Sequence, residues 1–137
     1  MIVIDASALT KYILHEESWE EVGSFIKDKR PLYSIDHLIK EVSNAIWKHH
    51  FLRRLVTLED ALKLYHGLNK LINTGVIMIE HEGKYLESAM KIALRHGITV
   101  YDSLYIAQAQ KLGEILTSDE SQAKIASKLG VKVYLIR

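Results

Sequence analysis

The chain predicts an α/β fold, a parallel sheet covered by helices on both faces, and three observations carry that reading. Short, wholly apolar, β-branched runs such as Ile2-Val3-Ile4 alternate with longer segments patterned at helical spacing. Runs of that kind suit strands buried on both sides, as the strands of parallel sheets are. Glycines stand where helices must stop, most plainly Gly113 and Gly130, each followed by an apolar run.

The elements follow in order. Ile2–Ile4 reads as the first strand, ended by Asp5, and Ala6–Leu14 continues at helical spacing through Leu9, Tyr12 and Ile13. Glu16 to Lys29 is a second amphipathic segment with Trp19, Val22, Phe25 and Ile26 on one side, and Pro31, the only proline, closes it. Leu32–Ile35 is a candidate strand. Asp36 can then cap a long helix to about Leu52, with Leu38, Ile39, Val42, Ala45 and Ile46 inward. Thr57-Leu58-Glu59-Asp60 has the form of a capping box for a helix that stops near Gly75. Val76–Ile79 is strand-like, and Gly83–His96 is helical up to Gly97. Asp102 opens a helix whose Leu104, Ile106, Ala107, Ala109 and Leu112 suit burial against a sheet. Gly113 stops it, Glu114–Thr117 reads as a short buried strand, and Asp119 falls just past that strand's end. Ser121–Leu129 is a helix stopped by Gly130, and Val131–Ile136 is the final strand.

Composition narrows the function classes. At 137 residues the chain reads as one domain, residues 1–137, long enough to bury a core. Hydrophobic content of 48% and charged content of 26% are those of an ordinary globular protein. A formal net charge of +1 means that any nucleic-acid surface must come from local clustering. The absence of cysteine excludes disulfides and thiolate metal sites and fits a reducing compartment. The first residues lack the basic start and long apolar stretch of a signal peptide, and no apolar run approaches the ~20 residues of a membrane span. A cytoplasmic protein is the expectation.

The topology collects acids at one edge. In open α/β sheets the binding crevice lies beyond the carboxyl ends of the strands. Asp5 and Asp119 each follow a strand, and Asp102 begins a helix at the same edge, where the helix dipole favours negative charge. Glu41 sits about one turn into the long helix, with Asn44 on its face. Four carboxylates gathered at one edge raise one another's pKa when empty. A hard divalent cation relieves that repulsion, and oxygen donors without cysteine point to Mg2+ or Mn2+ rather than zinc. Such an ion can activate water and clamp a phosphodiester. Taken singly, Asp36 and Asp102 read more readily as N-caps, Asp119 as a loop residue or cap, and Glu41 as a solvated side chain. The joint pattern is what carries the chemistry.

Four segments resemble the motifs of PIN-domain ribonucleases. Met1-Ile2-Val3-Ile4-Asp5-Ala6-Ser7-Ala8-Leu9 is similar to their opening strand, with an Asp and a hydroxyl residue two later. Glu41-Val42-Ser43-Asn44-Ala45-Ile46-Trp47-Lys48 resembles the second motif. Thr99-Val100-Tyr101-Asp102-Ser103-Leu104-Tyr105-Ile106-Ala107 resembles the third and most specific one, and Leu116-Thr117-Ser118-Asp119 the fourth. The resemblance spans the chain in order, and the lack of further domains is similar to the VapC toxin subgroup. It implies a three-layer α/β/α sandwich with a mostly parallel central sheet and a Mg2+- or Mn2+-dependent endoribonuclease. It also implies a homodimer and inhibition by a cognate antitoxin. Carried over by motif, Asp5, Glu41, Asp102 and Asp119 are the catalytic metal ligands, with Ser7, Asn44 and Thr117 supporting. Glu120, beside Asp119, could share or replace its role.

The remaining signals are weaker. Lys48, His49, His50, Arg53 and Arg54 concentrate positive charge at the end of the helix carrying Glu41, as an RNA-binding rim would; a solvated helix end complementing its dipole accounts slightly better for any one of them. Lys11 and Lys40 are further candidates. His15-Glu16 and His81-Glu82 begin like the zinc-protease HExxH pattern, but Trp19 and Tyr85 stand where the second His belongs. Trp47, Tyr12 and Tyr105 read as core or dimer packing rather than stacking platforms for bases. Two competing functions stand beside an RNase. An aspartyl phosphatase would use Asp5 as nucleophile, but Ser7 stands where that chemistry generally wants a second Asp. A catalytically silent RNA- or protein-binding module of the same fold is the other, and the complete set of acids argues against it.

Overall fold

The computed structural model describes residues 1–137 and contains five strands: β1 (Ile2–Ile4), β2 (Leu32–Ile35), β3 (Ile77–Glu80), β4 (Glu114–Thr117) and β5 (Lys132–Leu135). All four strand pairings are parallel, in the order β3-β2-β1-β4-β5. Seven α-helices accompany them: α1 (Ala6–Ile13), α2 (Trp19–Asp28), α3 (His37–Trp47), α4 (Leu58–Asn73), α5 (Leu86–His96), α6 (Val100–Leu112) and α7 (Glu120–Lys128). Helices α1 to α4 pack together on one face of the sheet and α5 to α7 on the other, which makes the expected α/β/α sandwich. Val3, Ile4, Leu32, Ile35, Ile115 and Leu116 are completely buried between the layers, as their unbroken apolar runs require.

This strand order positions the site. From β1 the chain steps outward to β2 and β3, then returns across the sheet to place β4 on the other flank of β1. The direction of winding therefore reverses between β1 and β4, and adjacent loops part there to leave a crevice. Register Ile4↔Leu116 sets the ends of the two strands level, and the Asp5 N–H donates to the Leu116 carbonyl at 3.2 Å. Helix α6 has no solvated stripe over its middle: Ser103 through Ala109 are all buried, because the sheet lies on one side and α5 and α7 on the others.

Three local expectations need correction. The long helix expected from Asp36 to about Leu52 is α3 followed by a π-helical turn, Lys48–Leu52, in which the Arg53 N–H donates to the Lys48 carbonyl at 3.0 Å. The His50 ring Nδ1 lies 2.8 Å from the Val56 carbonyl, folding the basic segment back toward α4. Asp36 does not cap α3; its carboxylate accepts the N–H of Glu82 at 3.0 Å, tying β2's end to the turn after β3. The cap of α6 is Thr99, whose Oγ1 accepts the Asp102 N–H at 3.2 Å, so Asp102 lies inside the first turn rather than opening the helix. Elsewhere the punctuation holds: Thr57 caps α4 through the Asp60 N–H, and Gly97 ends α5 in the left-handed region at φ 69.

Candidate active site

The crevice beyond β1 and β4 is a cleft of about 510 Å³. Asp5, Ser7, Glu41, Asn44, Asp102 and Asp119 line it, so the four expected acids, from four separate parts of the chain, reach one cavity, with Glu16 a fifth acid in its wall. Lys11, Lys48 and Arg53 also line it. Arg54 does not, and its backbone is left-handed at φ 52. Glu120 does not line the cleft either and pairs with Arg137 Nε at 3.4 Å.

Asp5 is the most enclosed of the four, 1% exposed. Its Oδ1 caps α1 by accepting the Ala8 N–H at 2.9 Å and also accepts the Ser7 hydroxyl at 2.7 Å. Its Oδ2 accepts the hydroxyl of Thr117, which lies fully buried behind it at the end of β4. Ser7 Oγ in turn accepts the Ser118 N–H at 2.8 Å, and Thr117 Oγ1 accepts the Asp119 N–H at 3.0 Å. Two hydroxyls thus lace β1's end to β4's end through one carboxylate. Burial pushes the Asp5 pKa up to about 6, against the lowering effect of the bonds from Thr117, Ala8 and Ser7; the charge of Asp119 pushes the same way as burial.

The other acids are more open. Asp119 caps α7, its Oδ1 accepting the Gln122 N–H at 3.1 Å and the Ser121 hydroxyl at 2.8 Å. Asp102 has its pKa raised by burial first, then by the charges of Asp119 and Glu41. Glu41 projects from α3 with its Oε1 accepting the Tyr105 hydroxyl at 2.6 Å, and His37 Nε2 lies 3.2 Å from the same oxygen. Asp5 responds to Asp119, and Asp102 to both Asp119 and Glu41, so the four form one electrostatic chain. None of the four makes an ion pair with a lysine or arginine; His37 is the only basic side chain in contact.

The donor set is therefore all oxygen, anionic and self-repelling, the chemistry a hard divalent cation satisfies. No three His, Asp or Glu side chains converge closely enough to close a ligand set by themselves. Two residues of this site escape a reading of the sequence for chemistry. Tyr105 reads as packing, and its ring is buried, yet its hydroxyl reaches Glu41. His37 reads as one of seven ordinary histidines, yet it stands one helical turn before Glu41 and stacks on Tyr101 at 4.8 Å. The available signal is spacing: Tyr105 follows Asp102 by three residues and His37 precedes Glu41 by four, so each shares a helix face with an acid.

The family model for the PIN domain matches residues 2–128. Ribonuclease VapC3 of Pyrobaculum aerophilum is 32% identical over 124 residues, which cover 90% of this chain and 92% of that protein. Exonuclease VapC9 of the same organism is 27% identical over 137 residues, 98% of this chain and 93% of that one. The crystal structure of PAE2754, also from Pyrobaculum aerophilum, superposes with a TM-score of 0.69 at 26% sequence identity, covering 96% of this chain and 87% of that one.

Proposed function

The chain belongs to the PIN-domain family, with VapC-type ribonucleases among its relatives, and on that premise we propose that it is a metal-dependent endoribonuclease, the toxin of a toxin–antitoxin pair. The observation that carries the reading is the chain of four carboxylates at the switch point, repelling one another with no lysine or arginine ion-paired to any of them. Asp5, Glu41, Asp102 and Asp119 would hold Mg2+ or Mn2+. Because no three of them close on a point, water would complete the shell, as Mg2+ prefers. Such an ion, held by these acids, would supply a water of lowered pKa and favour charge on the phosphate.

The protein's own groups have separate tasks. Ser7 and Thr117 hold the Asp5 carboxylate in one orientation, and Asn44 lines the cleft one turn beyond Glu41. Lys11, Lys48 and Arg53 give the same cleft a positive wall, able to take the phosphates flanking the scissile bond. Exposed apolar side chains support the partner part of the reading. Trp47 stacks on Phe51 at 5.4 Å beside exposed Leu52 and Leu55, and Leu86, Met90 and Leu94 form a second exposed strip along α5. A homodimer and a cognate antitoxin are the partners that would cover such surfaces. No helix is long and apolar enough to cross a membrane, and the cytoplasm, where the RNA is, is the proposed compartment.

The relatives' names split between ribonuclease and exonuclease, so the test uses RNA without ends. Purified protein is incubated with a circular and a linear RNA of one sequence, in Mn2+ or Mg2+ and in EDTA, beside Asp102→Asn. Metal-dependent opening of the circle, lost in the variant, is the expected result. Cutting of the linear RNA alone would replace endonuclease by exonuclease. RNA binding with no cutting in either metal would replace the enzyme by a silent binding module.

A further inference from the structure

Glu41 lies in mid-helix, caps nothing and receives no backbone N–H, whereas Asp5 and Asp119 are each fixed by a cap. A free glutamate on a helix face samples many rotamers, and a cleft that depended on it would have to order it each time a ligand bound. Its order comes instead from the opposite layer of the sandwich. Tyr105 projects from α6 with its ring wholly buried, 1% exposed, and ends on Glu41 Oε1 at 2.6 Å. A buried phenol has only two side-chain torsions and no room to swing, so the position of its oxygen is set by the core. His37, one turn earlier on α3, approaches the same Oε1 at 3.2 Å and stacks on the exposed Tyr101. No protein donor reaches Oε2.

We propose that Tyr105 is a positioning residue that pins Oε1 of Glu41, so that Glu41 presents Oε2 alone to a cation in the cleft. The inference rests on the metal-dependent reading above and adds to it the way in which one ligand is offered. It also gives α6 two tasks. Asp102 and Tyr105, three residues apart on one face of the helix, place one acid directly and a second through a hydrogen bond, across 64 positions of sequence between Tyr105 and Glu41. A shift of α6 would therefore move half of the ligand set together.

The test is a Mn2+ titration of the full-length protein by calorimetry, with free Mn2+ followed by electron paramagnetic resonance. The variants are Tyr105→Phe, Glu41→Gln and the double variant. Tyr105→Phe keeps the buried ring and removes only the oxygen. Loss of a group that orients a ligand weakens metal binding by roughly 10–100-fold, and that is the expected change. In the Glu41→Gln background the same substitution should change Mn2+ affinity by less than about twofold, because the group it orients is already altered. Unchanged affinity in Tyr105→Phe overturns the inference. So do losses that simply multiply in the double variant, which would mark Tyr105 as a core residue acting on the whole fold. Absence of Mn2+ binding by the unsubstituted protein would overturn the metal-dependent reading and this inference with it. Binding there with an unmoved Tyr105→Phe variant overturns this inference alone.

Discussion

Replacing Asp5 by Asn should abolish cleavage and yet make the metal-free protein more stable. The folded carboxyl has its pKa raised from 3.8 to about 6, burial being the largest cause. A raised acid binds its proton more tightly in the folded state. Between the unfolded value of 3.8 and the folded value of about 6, stability therefore falls as pH rises, and it stays low above that window. At 1.36 kcal/mol for each pH unit, the gap between those two values corresponds to about 3 kcal/mol. Asn is isosteric and neutral, so it behaves like the protonated acid at every pH. Its carbonyl can accept from Ala8 and Ser7, and its amide can donate to Thr117 Oγ1 once that hydroxyl turns toward Ser7, 3.3 Å away. With an unfolding entropy of about 2.1 cal/mol/K per residue, this chain gains roughly 3–4 °C of Tm per kcal/mol, or about 10 °C in all.

The assay is thermal unfolding in EDTA at pH 8 and at pH 3.5, then at pH 8 with Mn2+. Asp5→Asn should exceed the unsubstituted protein at pH 8 and converge with it at pH 3.5. Added Mn2+ should raise the Tm of the unsubstituted protein and leave the variant unmoved, because only a ligand that binds the folded state stabilises it. An Asp5→Asn protein that melts at or below the unsubstituted one at pH 8 in EDTA would refute the claim that Asp5 is held as a strained anion awaiting a cation.

Substitutions at four further positions separate parts of the fold from parts of the cleft. Burial works to raise the Glu80 pKa, but donations from Lys84 at 2.6 Å, Tyr85 at 2.5 Å and Gln108 at 3.0 Å outweigh it and hold the carboxyl at about 2. The sign is opposite to Asp5: this stability is present above 4.5 and is lost as pH falls toward 2. Glu80→Gln should cost about 1–3 kcal/mol in urea unfolding at pH 7 and flatten the acid limb between those values. Thr99→Ala removes the cap of α6 and should cost about 1 kcal/mol in the same measurement, with Thr99→Ser restoring most of it. Arg53→Glu should weaken RNA binding and lower the slope of its salt dependence by about one ion for each phosphate no longer neutralised, read by filter binding across a salt series. Arg54→Glu, outside the cleft lining, should do much less.

What was legible in the sequence and what was not differ in the range of the interactions involved. Strand β4 runs over Glu114–Thr117 as its local pattern demands, since Gly113 can take φ 115 and four residues of mostly apolar character follow. Asp5, Asp102 and Asp119 were placeable because each sits at or within a turn of a strand or helix boundary, and boundaries are written in neighbouring residues. Thr99 carries a start signal as well, a Thr followed three residues later by an acid, and it displaces the expected opening at Asp102. Asp36 carries the same local signal as any N-cap and fails to act as one, because the Glu82 N–H, brought beside it by the β2–β3 pairing, claims its carboxylate. Tyr105 is the sharpest instance. Its neighbours dictate burial, and burial is what it has, but the polar atom at its tip must find a partner in a layer that exists only once α3 and α6 have packed around the end of the sheet. Short-range patterns place such a residue and are silent about the atom that matters. That atom's role follows from asking which buried donor satisfies which carboxylate after the chain is folded.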